Sequence, residues 1–159
     1  MEKDRIKTSD YFYVIEKGKM ESNFDKAIDL LIKVNQENRL DQRQLDYVNY
    51  LIVACTVHCS AGRGIGKTHY IATHATKEDL IIVQDFAHIS YFQKQYGKGI
   101  QNNMFTFDQL DVALKGRRFQ TVYVDEPNLC FKYNDGNKWK FYGYIADNWN
   151  VQTIIMLGE

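Results

Sequence analysis

One proline in 159 residues leaves little room for extended linkers or a proline-rich tail. The three cysteines form no scaffold spacing, so a disulfide framework is excluded and a reducing compartment is expected. No run of eighteen apolar residues occurs, and the N-terminus lacks the pattern of a secretory leader. A soluble protein of the cytoplasm is therefore expected, of the host cytoplasm if the chain is viral, with no membrane partner. Net charge is also missing, because 20 basic residues face 20 acidic ones, so no global attraction to nucleic acid follows. What is present is 45% hydrophobic and 14% aromatic residues, enough for one domain with its own core.

The most informative segment is Ala61-Gly62-Arg63-Gly64-Ile65-Gly66-Lys67-Thr68. It has the A-x-x-x-x-G-K-T form of a phosphate-binding loop, in which backbone N–H groups curl around an anion at a helix N-terminus. Gly62, Gly64 and Gly66 are expected to supply positive φ. Lys67 is placed to reach β- and γ-phosphates, Thr68 to ligate Mg²⁺, and His69 to follow them on the first helical turn. The flanks agree, with β-prone Cys55-Thr56-Val57-His58-Cys59 before the loop and a helix from Gly66 to Ala75 after it. Further on, the strand-like run Phe119–Val124 delivers Asp125-Glu126. In that order the pair suits a metal-associated Asp125 and a water-activating Glu126.

The rest of the chain alternates helix and strand. Ser22 or Asn23 caps a helix to about Gln36, with Phe24, Ala27, Ile28, Leu31 and Val34 on one face. Asp41 caps a second helix burying Leu45, Val48 and Ile52, so residues 1–54 read as a helical hairpin ahead of a nucleotide-binding core at 55–159. In the core, strands are expected near 55–60, 80–84, 104–107, 119–124 and 152–157. Helices are expected at 66–75, 86–96, 108–115 and 139–147, with a polar loop over 128–138. This is a three-layer α/β sandwich with a mostly parallel sheet, whose ligands bind at the carboxyl ends of the strands. Cys55, His58 and Cys59 invite a zinc reading, but on a strand 55 and 59 would share a face while 58 points away, so buried thiols are the better reading. His69, His74 and His88 read as ordinary helix residues. Both motifs together require the carboxylates of Asp125 and Glu126 within about 12 Å of Lys67, the reach of a water-bridged metal shell.

The two motifs resemble those of P-loop NTPases of the additional-strand, catalytic-glutamate type. Arg63–Thr68 is similar to the Walker A loop of the ATPase subunits of bacteriophage DNA-packaging motors, the large-terminase type, and Tyr123-Val124-Asp125-Glu126 to their Walker B strand. The resemblance implies a hydrolase using ATP and Mg²⁺, with Lys67, Glu126 and Arg63 catalytic, Arg63 facing the γ-phosphate, and Thr68 and Asp125 on the metal. It also implies an adenine-contacting glutamine ahead of the loop, a part for Gln42 or Gln44. The partners it implies are a homo-oligomeric ring, whose neighbour lends an arginine, and DNA. Basic and aromatic residues at Lys138-Trp139-Lys140-Phe141-Tyr142 and at Lys115, Arg117 and Arg118 are the local candidates for DNA, although two or more of those aromatics should be core. Two other readings stay open: a small nucleoside or nucleotide kinase, and a nucleotide-regulated adaptor that never turns over.

Overall fold

The computed structural model describes residues 14–16, 19–60, 62, 64, 66–97, 103–148 and 150–159. A two-stranded antiparallel ribbon, β1 (Val14–Glu16) and β2 (Lys19–Glu21), precedes helix α1 (Asn23–Glu37). The sequence also allows a short strand over Tyr11–Ile15; Val14 and Ile15 of it lie in β1, and its earlier residues lie outside those described. Ser22 caps α1 by accepting from the Asp25 N–H at 3.0 Å while the Asp25 carboxylate accepts from the Ser22 N–H, a reciprocal capping box.

The core is a five-stranded, all-parallel sheet built from β3 (Thr56–Cys59), β4 (Leu80–Val83), β5 (Met104–Thr106), β6 (Thr121–Asp125) and β7 (Thr153–Leu157). Its spatial order is β3-β7-β6-β4-β5. β7 is therefore inserted between the strand that feeds the phosphate-loop motif and the strand that ends in Asp125. Apolar residues at both parities let each strand feed two cores. Leu80, Ile82, Val122, Val124, Ile154 and Met156 face one, while Ile81, Val83, Tyr123, Ile155 and Leu157 face the other.

Crossover helices α3 (Lys67–His74) and α4 (Phe86–Tyr96) cover the second face, and α5 (Leu110–Ala113), α6 (Pro127–Cys130) and α7 (Asp135–Ala146) the first. The change of face comes where the chain turns back along the sheet after β5, as right-handed crossovers require. β4 and its neighbour β6 therefore send their following helices to opposite faces. That divergence opens a crevice at their carboxyl ends.

Four local expectations are corrected. Asp41 caps only a 3₁₀ turn, Gln42–Gln44, and the second helix α2 (Tyr47–Tyr50) is capped by Asp46 and runs into a π-helical turn, Leu51–Cys55. The expected hairpin does not bury its two stripes together: α1 touches the π turn but sets Phe24 edge-on against Tyr70 of α3 and buries Ile28 in that core, whereas Leu51 and Cys55 join the core on the other face. A helical pattern tells which residues seek burial but not against which side of a sheet they find it. On α1 the inner stripe runs Phe24, Ile28 and half-buried Ile32, leaving Ala27, Leu31 and Val34 exposed. The polar loop at 128–138 contains α6, with Pro127 at its first position and Cys130 and Phe131 buried. Asn134-Asp135-Gly136-Asn137, which by sequence alone reads as a turn, is the start of α7, where the Asn134 side chain accepts from the Gly136 and Asn137 N–H groups.

Cys55 and Cys59 do not share a face. Cys55 belongs to the π turn and one core, Cys59 to the strand and the other. Among the described residues no group of three or more His, Cys, Asp or Glu is placed to hold a metal ion, and no helix is long and apolar enough to cross a membrane.

Candidate functional site at the carboxyl ends of the parallel strands

The loop after β3 reaches α3 through Gly64 (φ 73°) and Gly66 (φ 100°), the latter at the N-cap in the left-handed region. A Cβ at either would meet nothing within 4 Å, so the backbone torsion and not crowding calls for glycine there. Gly62, expected to share this role, has no positive φ. Ala61, Arg63 and Ile65 lie outside the described residues. The first turn of an α-helix offers N–H groups without intrahelical acceptors, together with the positive end of the dipole. Lys67, Thr68 and His69 form that turn of α3, and it opens into a cleft of about 730 Å³.

β6 brings Asp125 and Glu126 to the same place. The Thr68 hydroxyl donates to Asp125 Oδ2 at 3.0 Å, and Lys67 Nζ lies 2.5 Å from Glu126 Oε1. These contacts join segments 57 residues apart and fall well inside the separation that the two motifs required. Asp125 is only 4% exposed, and its Oδ1 has no hydrogen-bond partner. Burial pushes its carboxyl above the ordinary range, against the opposing bond from Thr68. A buried, half-satisfied carboxylate beside a hydroxyl suits a hard cation with oxygen ligands. Mg²⁺ usually takes only one or two protein groups and completes its shell with water and phosphate, so Thr68 and Asp125 suffice without a larger acidic cluster.

A carboxyl whose pKa is higher in the folded than in the unfolded state costs stability once it must ionise. The cost is absent below the unfolded value and grows as pH rises through the folded one. Asp125→Asn keeps an acceptor for Thr68 but removes the charge. In metal-free buffer at neutral pH it should raise the melting temperature by roughly 2 °C or more. The gain should shrink toward acid pH, and a lower melting temperature at neutral pH would contradict it.

Glu126 turns the chain from β6 into α6. It is a non-glycine residue in the left-handed region (φ 57°, ψ 74°), a conformation that costs on the order of 1–3 kcal/mol. The corner is held by its N–H donating to the Leu157 carbonyl at 2.8 Å, and by its own carbonyl accepting from the Leu129 and Cys130 N–H groups at 3.0 Å.

Gln42 is exposed on the 3₁₀ turn and is not among the residues lining the cleft; the Gln44 side chain lies outside the described set. His69 does line the cleft, its ring 5.8 Å from that of Tyr96. Residues not singled out from sequence also line it, among them Gln84, Tyr91, Asn128 and Tyr133. His88, read as an ordinary helix residue, joins them, and its Nδ1 is 3.1 Å from Asp85 Oδ1. The available signal was positional: Gln84 and Asp85 directly follow the apolar run Leu80–Val83, at a strand's carboxyl end.

Of the DNA candidates, Phe141 and Tyr142 are core, while Trp139 is 57% exposed between Lys138 and Lys140. Arg117 lies over the Phe105 and Phe119 rings and donates to Asn103, so it is occupied within the fold. No known protein family matches the chain, and no curated protein shows significant similarity to it. The chain is an α/β protein with a five-stranded parallel sheet, whose carboxyl edge gathers Lys67, Thr68, Asp125 and Glu126.

Proposed function

We propose that this protein binds and hydrolyses ATP with Mg²⁺, as the ATPase module of a nucleic-acid motor akin to the viral DNA-packaging type. The observation that carries the reading is the double contact Lys67–Glu126 and Thr68–Asp125, made between two motifs distant in sequence. The position of β7 between β3 and β6 supports the additional-strand class. A carboxylate directly after the metal-associated one supports hydrolysis over transfer to a nucleoside.

Lys67 and the first-turn amides of α3 would hold the β- and γ-phosphates, and Thr68 and Asp125 the Mg²⁺. When bound, that ion supplies charge neutralisation at the phosphate oxygens. Phosphate competes with Glu126 for Lys67. Once displaced, the Glu126 carboxylate is available to accept a proton from water positioned at the γ-phosphorus. Arg63 would add positive charge at the same phosphate.

Lys67→Ala should weaken MgATP binding by on the order of 100-fold or more, since it removes the charged partner of the phosphates. Isothermal titration calorimetry reads this directly, and unchanged affinity would remove the reading. Phosphate release without an acceptor separates the ATPase from a kinase, which needs a nucleoside, and from an adaptor, which releases none. The motor role predicts salt-sensitive binding of DNA. Fluorescence anisotropy at two salt concentrations tests it, and Trp139→Ala should weaken it by about 1–3 kcal/mol if bases stack there.

A further inference from the structure

The ends of β7 and β4 are unequal. β7, beside the acidic strand, ends in Leu157-Gly158, and Gly158 brings no side chain to the cleft. β4, on the acidic strand's other side, is followed by Gln84 and Asp85, and α4 begins at Phe86. Asp85 is not among the cleft-lining residues, yet it holds two that are. Its Oδ2 accepts from Gln84 Nε2 at 2.9 Å, and its Oδ1 accepts from the His88 backbone N–H at 2.9 Å with His88 Nδ1 at 3.1 Å. The imidazole is thereby pinned through Nδ1, which leaves Nε2 as the ring's remaining polar atom. Gln84 and His88 hold the carboxyl of Asp85 down at about 2, so it stays ionised as an anchor. His88 lines the same cleft as Lys67, Thr68 and Glu126.

Charge makes the same point. Lys67 is matched by Glu126, and Glu159 adds a further carboxylate to the cleft wall. The terminal phosphate of a nucleoside triphosphate presents three oxygens, so donors besides Lys67 and the α3 first turn can engage it. Resting on the nucleotide reading above, we propose that His88, with Gln84 beside it, contacts the terminal phosphate and so distinguishes triphosphate from diphosphate, Asp85 being its positioning residue. His88 donates from Nε2 to a terminal oxygen while Nδ1 donates to Asp85, and Gln84 offers its amide from the same wall. A diphosphate, held by Lys67 and the α3 amides, does not extend to this wall.

Calorimetric titration of the full chain with MgATP and with MgADP tests this on four proteins: wild type, His88→Ala, Asp85→Asn and Lys67→Ala. His88→Ala should lose about tenfold or more in MgATP affinity and keep MgADP within about twofold, the loss of one charge-assisted bond. Asp85→Asn still caps α4 but lacks the charge that anchors the ring, and should show the same selective loss in smaller measure. That selectivity is what a purely structural role would not produce. If His88→Ala fails to melt cooperatively, Asp85→Asn decides alone. Equal losses for both nucleotides, or none, overturn the proposal. Should Lys67→Ala also bind MgATP like the wild type, the phosphate site itself is misassigned and this proposal falls with it. If Lys67→Ala loses binding while His88→Ala does not, the role of His88 alone is refuted.

Discussion

Glu126→Gln should bind MgATP at least as tightly as the wild type and release phosphate about 10²-fold or more slowly. The amide keeps the shape and the hydrogen-bonding reach of the carboxylate, so the corner after β6 stays as it is. What goes is the ability to take a proton from water. The charge of Glu126 also disappears from its 2.5 Å contact with Lys67, so phosphate no longer competes with a carboxylate for the ammonium. Affinity and turnover should therefore move in opposite directions. A general loss of fold would move them together. Paired calorimetry and single-turnover phosphate release read both quantities, and wild-type turnover in the variant would remove Glu126 as the base.

Part of this was legible in the chain itself. Leu80–Val83 and Ile154–Leu157 are apolar at every position, which only a strand buried on both faces tolerates, and both lie where expected. The phosphate-loop and acidic motifs carry their chemistry in residue type and spacing, so Lys67, Thr68, Asp125 and Glu126 could be named before their meeting was seen. The failures are of another kind. Whether α1 and α2 bury their apolar stripes against each other or in the cores of opposite faces depends on the sheet, and no periodicity encodes that. The short helix α6 was hidden because Asn128, Lys132 and Asn134 look like loop residues, although Pro127 and buried Cys130 and Phe131 shape the segment. Gln84, Asp85 and His88 belong to no motif. They matter because β4 lies next to β6, an adjacency that exists only in the folded sheet.

That sheet also makes a glycine at the end of β7 indispensable. Gly158 has φ 121°, and a Cβ there would fall 2.7 Å from Glu126 Cδ and 3.1 Å from Glu126 Cα. The carboxylate tip could swing aside only by leaving Lys67. The backbone contact has no such escape, because the corner is fixed on both sides. The Gly158 N–H donates to the Cys59 carbonyl at 2.9 Å, and the Glu126 N–H donates to the Leu157 carbonyl at 2.8 Å. Gly158→Ala should therefore cost about 2–4 kcal/mol in urea unfolding, from torsional strain and overlap together. It should also lower phosphate release nearly as far as Glu126→Gln, since the displaced carboxylate no longer faces the cleft. A double-mutant cycle with Glu126→Ala separates the two costs. In the alanine background the carboxylate overlap is gone and only torsion and the backbone contact remain, so the penalty at 158 should shrink by about 1 kcal/mol or more. Strict additivity would mean that residues 158 and 126 do not press on one another. The acidic corner would then owe its position to β6 alone.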